Sequence, residues 1–102
     1  MALGTVSYQR AGRLVPKRRR GLRARSVALR PGKSVAWHST KEREELLIAL
    51  SGHVDVEARA DRGTRRTRLK AGRCLWLPRR TLHRVVNRSS ETAHYLYVTG
   101  AA

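Results

Sequence analysis

Turn-forming residues interrupt this chain too often for long helices. Pro31-Gly32, Ser51-Gly52, Asp61-Arg62-Gly63, Ala71-Gly72 and Pro78 divide its central part into short segments. Glycine supplies positive φ and proline removes a backbone donor, so each group is a place for the chain to reverse. Between these points lie β-prone runs: Ser26 to Arg30, Ser34 to His38, Glu45 to Leu50, Val54 to Ala58, Thr64 to Leu69, Arg73 to Leu77, Leu82 to Asn87 and Ala93 to Thr99. Strands recurring at about 8–12 residues with turn signals between them predict an all-β sandwich or barrel. Residues 42–50 could form a helix on propensity alone, but their short, Gly-bounded neighbours argue for a strand.

Burial patterns follow from alternation. After its first residue, Glu45 to Leu50 is apolar on both faces, which predicts a strand covered on both sides. Val54, Val56 and Ala58 alternate with His53, Asp55 and Glu57, which predicts an exposed polar face. Thr64 to Leu69 reads as an exposed polar strand. Cys74 is expected in the core. Trp37, Trp76, Tyr95 and Tyr97 are expected in the core or on a dimer face. His94 shares a face with Leu96 and Val98, which points it toward an interior.

With 102 residues, the chain has room for one domain and one core. A single cysteine excludes a disulfide framework or a Cys-rich zinc knuckle. No apolar run approaches the roughly 18 residues of a membrane span, and no signal-type apolar stretch opens the chain. The expectation is a soluble, cytoplasmic domain with no membrane partner.

The formal net charge is +16, and it is unevenly spread. Residues 1–41 carry 11 basic and no acidic side chains, whereas residues 42–102 carry 12 basic and 7 acidic. Lys17-Arg18-Arg19-Arg20, Arg23 and Arg25 form the densest part, so residues 1–25 read as a basic arm and residues 26–102 as the barrel. Such a cluster suits phosphates, an acidic partner or nucleic acid. Tyr8 is the only base-stacking aromatic nearby and no nucleic-acid motif stands out, so nucleic acid is not the favoured partner.

Two spaced strings carry the chemistry. Gly32, His38, Thr40, Glu45 and Gly52 form the first; Gly72, Pro78, Arg80, His83 and Asn87 form the second. They resemble the paired motifs of the cupin superfamily, and of its small single-domain bacterial type-2 members in particular. Eight of the ten defining positions match. Thr40 stands where the first motif has its second histidine, and Arg80 where the second motif has a glycine. The resemblance implies a double-stranded β-helix, or jelly-roll, and a homodimer.

It also implies a metal site on His38, Glu45 and His83. His38 and Thr40 are two apart and share a strand face. Glu45 opens the next strand, and His83 can reach the same hollow once the sheet closes. Two imidazoles and a carboxylate suit Fe, Mn, Zn, Ni or Cu. Glu44 is the rival ligand if the turn slips by one residue, and a free Glu45 carboxylate would instead be a general base. Without a metal, the two histidines would be buried, hydrogen-bonded residues. Thr40 is expected to line the pocket, with a hydroxyl able to hold a metal-bound water. Arg79 and Arg80 are placed near the rim, where they could receive a carboxylate or phosphate. Asn87 is expected to pin a turn, and His53 to be a surface histidine.

Three functions are consistent with these residues. One is a metal-dependent enzyme of dioxygenase, isomerase or lyase type acting on a polar, anionic small molecule. Another is a non-catalytic barrel that binds or senses a ligand without metal. The third is a binder of nucleic acid or an acidic partner through residues 10–25.

Overall fold

The computed structural model describes residues 4–15 and 21–101, so the Lys17-Arg18-Arg19-Arg20 run lies outside the described residues. The described residues form nine strands and no helix: β1 (Gly12–Arg13), β2 (Leu22–Leu29), β3 (Ser34–Ser39), β4 (Arg43–Ser51), β5 (His53–Ala60), β6 (Gly63–Lys70), β7 (Cys74–Leu77), β8 (Leu82–Val86) and β9 (Ala93–Ala101). One sheet has the order β1-β2-β9-β4-β7 and the other β3-β8-β5-β6. Every pairing is antiparallel. From β3 onward the chain passes repeatedly between the sheets, giving a small jelly-roll. Strand β2 begins at Leu22, ahead of the β-prone run at Ser26, because Leu22 to Arg25 continue its ladder with β9.

The core fills the space between the sheets. Leu29, Leu47, Ala49, Leu77 and Tyr95 meet Val54, Val56, Leu69 and Val85 from the opposite layer. Each buried side chain of this size contributes about 1.5–3 kcal/mol relative to exposure. Gly52 turns β4 into β5 at φ +68°, and a Cβ there would stand 3.2 Å from the Ala93 backbone. Only glycine meets both conditions.

Several burial expectations are corrected. On β4, Glu45, Leu47 and Ala49 are buried, while Leu46, Ile48 and Leu50 are only half-buried on the outer face. Cys74 and Trp76 lie on the same outer face and are exposed, so Cys74 is not in the core, and of the two places expected for Trp76 the core is excluded. Trp37 is exposed as well, whereas Tyr95 is buried in the core and Tyr97 packs against it, partly buried. His94 also faces outward, where its ring hydrogen-bonds Ser26. Ser26 in turn donates to the Tyr8 carbonyl, which fixes part of the N-terminal segment over this sheet.

Asp55 and Glu57 depart furthest from the sequence expectation. Both are buried, although their face was expected to be open. Arginines from neighbouring strands close over them: Arg68 and Arg88 reach Asp55, while Arg84 and Arg88 reach Glu57 at 2.8–3.0 Å. Arg84 also stacks over Trp37. Alternation locates the outer face correctly but does not reveal that long arginine stems cover it.

This network sets an acid limit on stability. Burial raises the Asp55 carboxyl, but hydrogen bonds and charge from Arg88 and Arg68 outweigh it and hold the group below its ordinary value. Hydrogen bonds from Arg84 and then Arg88 do the same for Glu57. A depressed folded-state value stabilises above the unfolded-state value and is lost as pH falls through the folded one. Urea unfolding measured across pH should therefore show stability falling from about pH 4 downward. Asp55→Asn with Glu57→Gln should flatten that dependence.

Candidate metal centre

The β3–β8 register makes His38 and His83 direct cross-strand partners. Their rings are 4.3 Å apart, centre to centre, and tilted at 56°. Glu45 enters from the other sheet, at the buried edge of β4, and its Oε2 lies 3.1 Å from His83 Nε2. One ligand atom from each of the three residues lies within 4.8 Å of the others. His83 is fully buried and Glu45 nearly so, while His38 is exposed at the mouth. Glu44 points the other way and accepts a hydrogen bond from Trp76 Nε1, so Glu45 is the carboxylate facing the histidines.

Both imidazoles are oriented by backbone. His38 Nδ1 is 2.8 Å from the Ala36 carbonyl, and His83 Nδ1 is 3.0 Å from that of Thr81. A carbonyl only accepts, so each Nδ1 carries the proton and each Nε2 keeps a free lone pair, that of His83 facing Glu45. This is the outer-shell arrangement that fixes a metal-binding tautomer. Ligand bonds near 2.0–2.2 Å place two donors at most about 4.4 Å apart, a small contraction from the separation observed. The donor set therefore fits a divalent ion. A proton can occupy the same place: burial disfavours the His83 cation, but the Glu45 hydrogen bond, the Thr81 carbonyl and the Glu45 charge together raise its pKa.

Thr40 is a clasp. Its hydroxyl donates to the Pro78 carbonyl at 2.8 Å and accepts from the Thr81 amide at 3.0 Å. Two backbone hydrogen bonds, Thr40 N to Thr81 O and Arg80 N to Lys41 O, join the same two turns. With its donor and one acceptor position committed, the hydroxyl holds the β3–β4 turn to the β7–β8 turn that delivers His83. Arg80 takes φ +57°, the left-handed conformation of the glycine it replaces, and its side chain pairs with Glu42. Asn87 donates to the carbonyls of Leu29 and Glu91 and accepts from Ser89, so it pins the β8–β9 turn.

The three residues lie in an open cavity of about 860 Å³ between the sheets. Val27, Val35, Leu47, Val85, Tyr95 and Tyr97 give it an apolar wall, and Thr40 also lines it. Burial, then the Glu45 charge, raises the Tyr95 phenol and keeps it neutral. Arg79 and Arg80 are not among the lining residues. The cations that do line it are Arg13, Arg23, Arg25, Lys41 and Arg43. Arg43 is tied to Thr99 and to the Gly21 carbonyl. Sequence reasoning placed Arg23 and Arg25 in a basic arm; their alternation with Ala24 and Ser26 was the available sign that they share one strand face.

A family model described as a cupin domain matches residues 25–99. Among solved structures, a cupin 2 conserved barrel domain protein from Salinispora arenicola is 21% identical, with a TM-score of 0.77 over 100% of this chain and 90% of that one. The Cnp3 cupin domain of Schizosaccharomyces pombe is 17% identical, with a TM-score of 0.78 over 90% of this chain and 64% of that one. An oxalate oxidase in complex with the substrate analogue glycolate is 18% identical, with a TM-score of 0.73 over 79% of this chain. This chain spans only 42% of that protein's length. No curated protein matches.

The clasp has a measurable cost of removal. Thr40→Val keeps the shape but strands the Thr81 amide and the Pro78 carbonyl, which should lower unfolding stability by about 1–3 kcal/mol. Thr40→Ser should retain most of it, as read by urea denaturation.

Proposed function

The chain belongs to the cupin-domain family, and from that membership we propose that it holds a divalent metal ion on His38, Glu45 and His83 and binds a polar, anionic small molecule beside it. The observation that carries this reading is the pair of imidazoles whose Nδ1 atoms are both committed to backbone carbonyls, leaving two Nε2 lone pairs free in a cluster that also holds a carboxylate.

In an enzyme of dioxygenase, isomerase or lyase type, the bound ion would supply Lewis acidity and a template for the substrate. The protein's own contribution follows from the residues present. Without the ion, His83 Nε2 and Glu45 Oε2 share a proton across their contact; with it, Nε2 would be a ligand and Glu45 would accept a proton from substrate only if the imidazoles alone held the ion. The apolar wall suits the hydrocarbon part of a ligand, and the lining cations favour an anion. Arg13, Arg23 and Arg25 turn toward this cavity, so part of the basic stretch is read as ligand-facing rather than as a nucleic-acid surface.

A non-catalytic binding module is the second reading. It is supported by the Glu45–His83 contact, which closes the site with a proton alone, and by the commitment of the Thr40 hydroxyl to the turns. Elemental analysis of untagged, chelator-free protein separates the two. Wild type should retain about one divalent ion per chain, and His83→Gln should weaken metal binding beyond the roughly 10–100-fold that loss of an outer-shell partner costs. A metal-free barrel that retains a small molecule would favour the module.

We also propose that two copies associate through the outer face of the β1-β2-β9-β4-β7 sheet. Leu46, Ile48, Leu96 and Val98 are half-buried there beside Trp76, which is 59% exposed. Sedimentation should give a dimer, and Trp76→Glu should shift it toward monomer.

A further inference from the structure

Like charges face each other across the first ladder of the sheet. Arg13 and Arg25 are direct partners between β1 and β2, and both line the cavity. Same-sign charges in that position are destabilising. Among the described residues no carboxylate pairs with Arg13, Arg23 or Arg25. Glu45 is the only acidic residue among those lining the cavity. Elsewhere in this protein the buried carboxylates are closely paired with arginine, whereas these three arginines share one cavity wall in which Glu45 is the sole acid among the described lining residues.

Their position relative to the histidines follows from the register. Arg23, Thr99 and Glu45 form one row across β2, β9 and β4. At about 4.8 Å per strand, the Cα of Arg23 stands about 10 Å from that of Glu45. Thr99, which holds the Arg43 guanidinium, lies between them in that row. Arg25, Tyr97 and Leu47 form the next row, so apolar surface flanks the line from the cationic end to the His–Glu–His end. The cavity volume falls in the range that receives a drug-sized ligand rather than a single small ion.

We infer that the cavity takes an elongated organic dianion, with one end at His38, Glu45 and His83 and a second acidic group about 10 Å away gripped by Arg13, Arg23 and Arg25. The first end rests on the ligand reading given above, whereas the second stands on the arginines alone. Guanidinium groups are suited to this grip because each can donate two parallel hydrogen bonds to one carboxylate or phosphate. The middle of the ligand is hydrocarbon or aromatic, to match Tyr97, Leu47 and Val27. Oxalate, whose carboxylates are bonded directly to each other, is too short to reach both ends.

Calorimetric titration of the full chain with octanedioate and with octanoate, metal-free and zinc-loaded, tests this. Octanedioate should bind at least about tenfold more tightly than octanoate, as expected for one added charge-assisted contact. Arg23→Gln and Arg25→Gln should each remove most of that advantage, and Arg25→Lys should retain part of it. Because Arg25→Gln also relieves the repulsion with Arg13, its urea midpoint should rise while its octanedioate affinity falls. The inference is overturned if wild type shows no preference for the diacid, or if the preference survives both glutamine variants. A preference that requires the arginines but is the same with and without zinc upholds the cationic end and counts against the metal reading instead.

Discussion

The arrangement depends on two turns being held together. The turn leading into β4 and the turn leading into β8 come from opposite sheets, and each delivers part of the His–Glu–His cluster. Thr40 joins them through its hydroxyl and its amide, and the Arg80 amide adds a further hydrogen bond. The antiparallel register then sets His38 opposite His83. Where the family pattern has another imidazole, this chain has a clasp, so one fewer donor is offered and the turns that carry Glu45 and His83 are tied together.

Charge is handled differently on the two sheets. On the outer face of the four-stranded sheet, two buried carboxylates are enclosed by three arginines, and each acid is satisfied by more than one donor. On the inner face of the five-stranded sheet, arginines from β1 and β2 line the cavity without acidic partners among the described residues. Similar side chains therefore do different work. One group neutralises charge that folding has buried; the other holds a positive field facing an open space.

Much of the fold was legible because turns and strands leave local marks. The Gly and Pro punctuation located the strands from Ser26 onward, and motif spacing brought His38, Glu45 and His83 into one hollow. What escaped depends on neighbours distant in sequence. Asp55 and Glu57 alternate as exposed residues do, and only the approach of Arg68, Arg84 and Arg88 buries them. Cys74 and Trp76 look like core residues by type, but the outer face of their sheet has little over it among the described residues. Arg13 gave no local sign of a place in the cavity wall, because a two-residue strand is too short to leave a periodic signal. Arg79 and Arg80 seemed suited to receive an anion by sequence position, yet the turn directs Arg80 to Glu42.

The cavity wall does not end where the family resemblance does. The matched span begins at residue 25, while Arg13, Val15 and Arg23 lie before it and still face the hollow. A fragment trimmed to the matched span would keep the histidines but lose the side of the cavity formed by Arg13, Val15 and Arg23. The family boundary and the edge of the hollow therefore fall at different places in this chain.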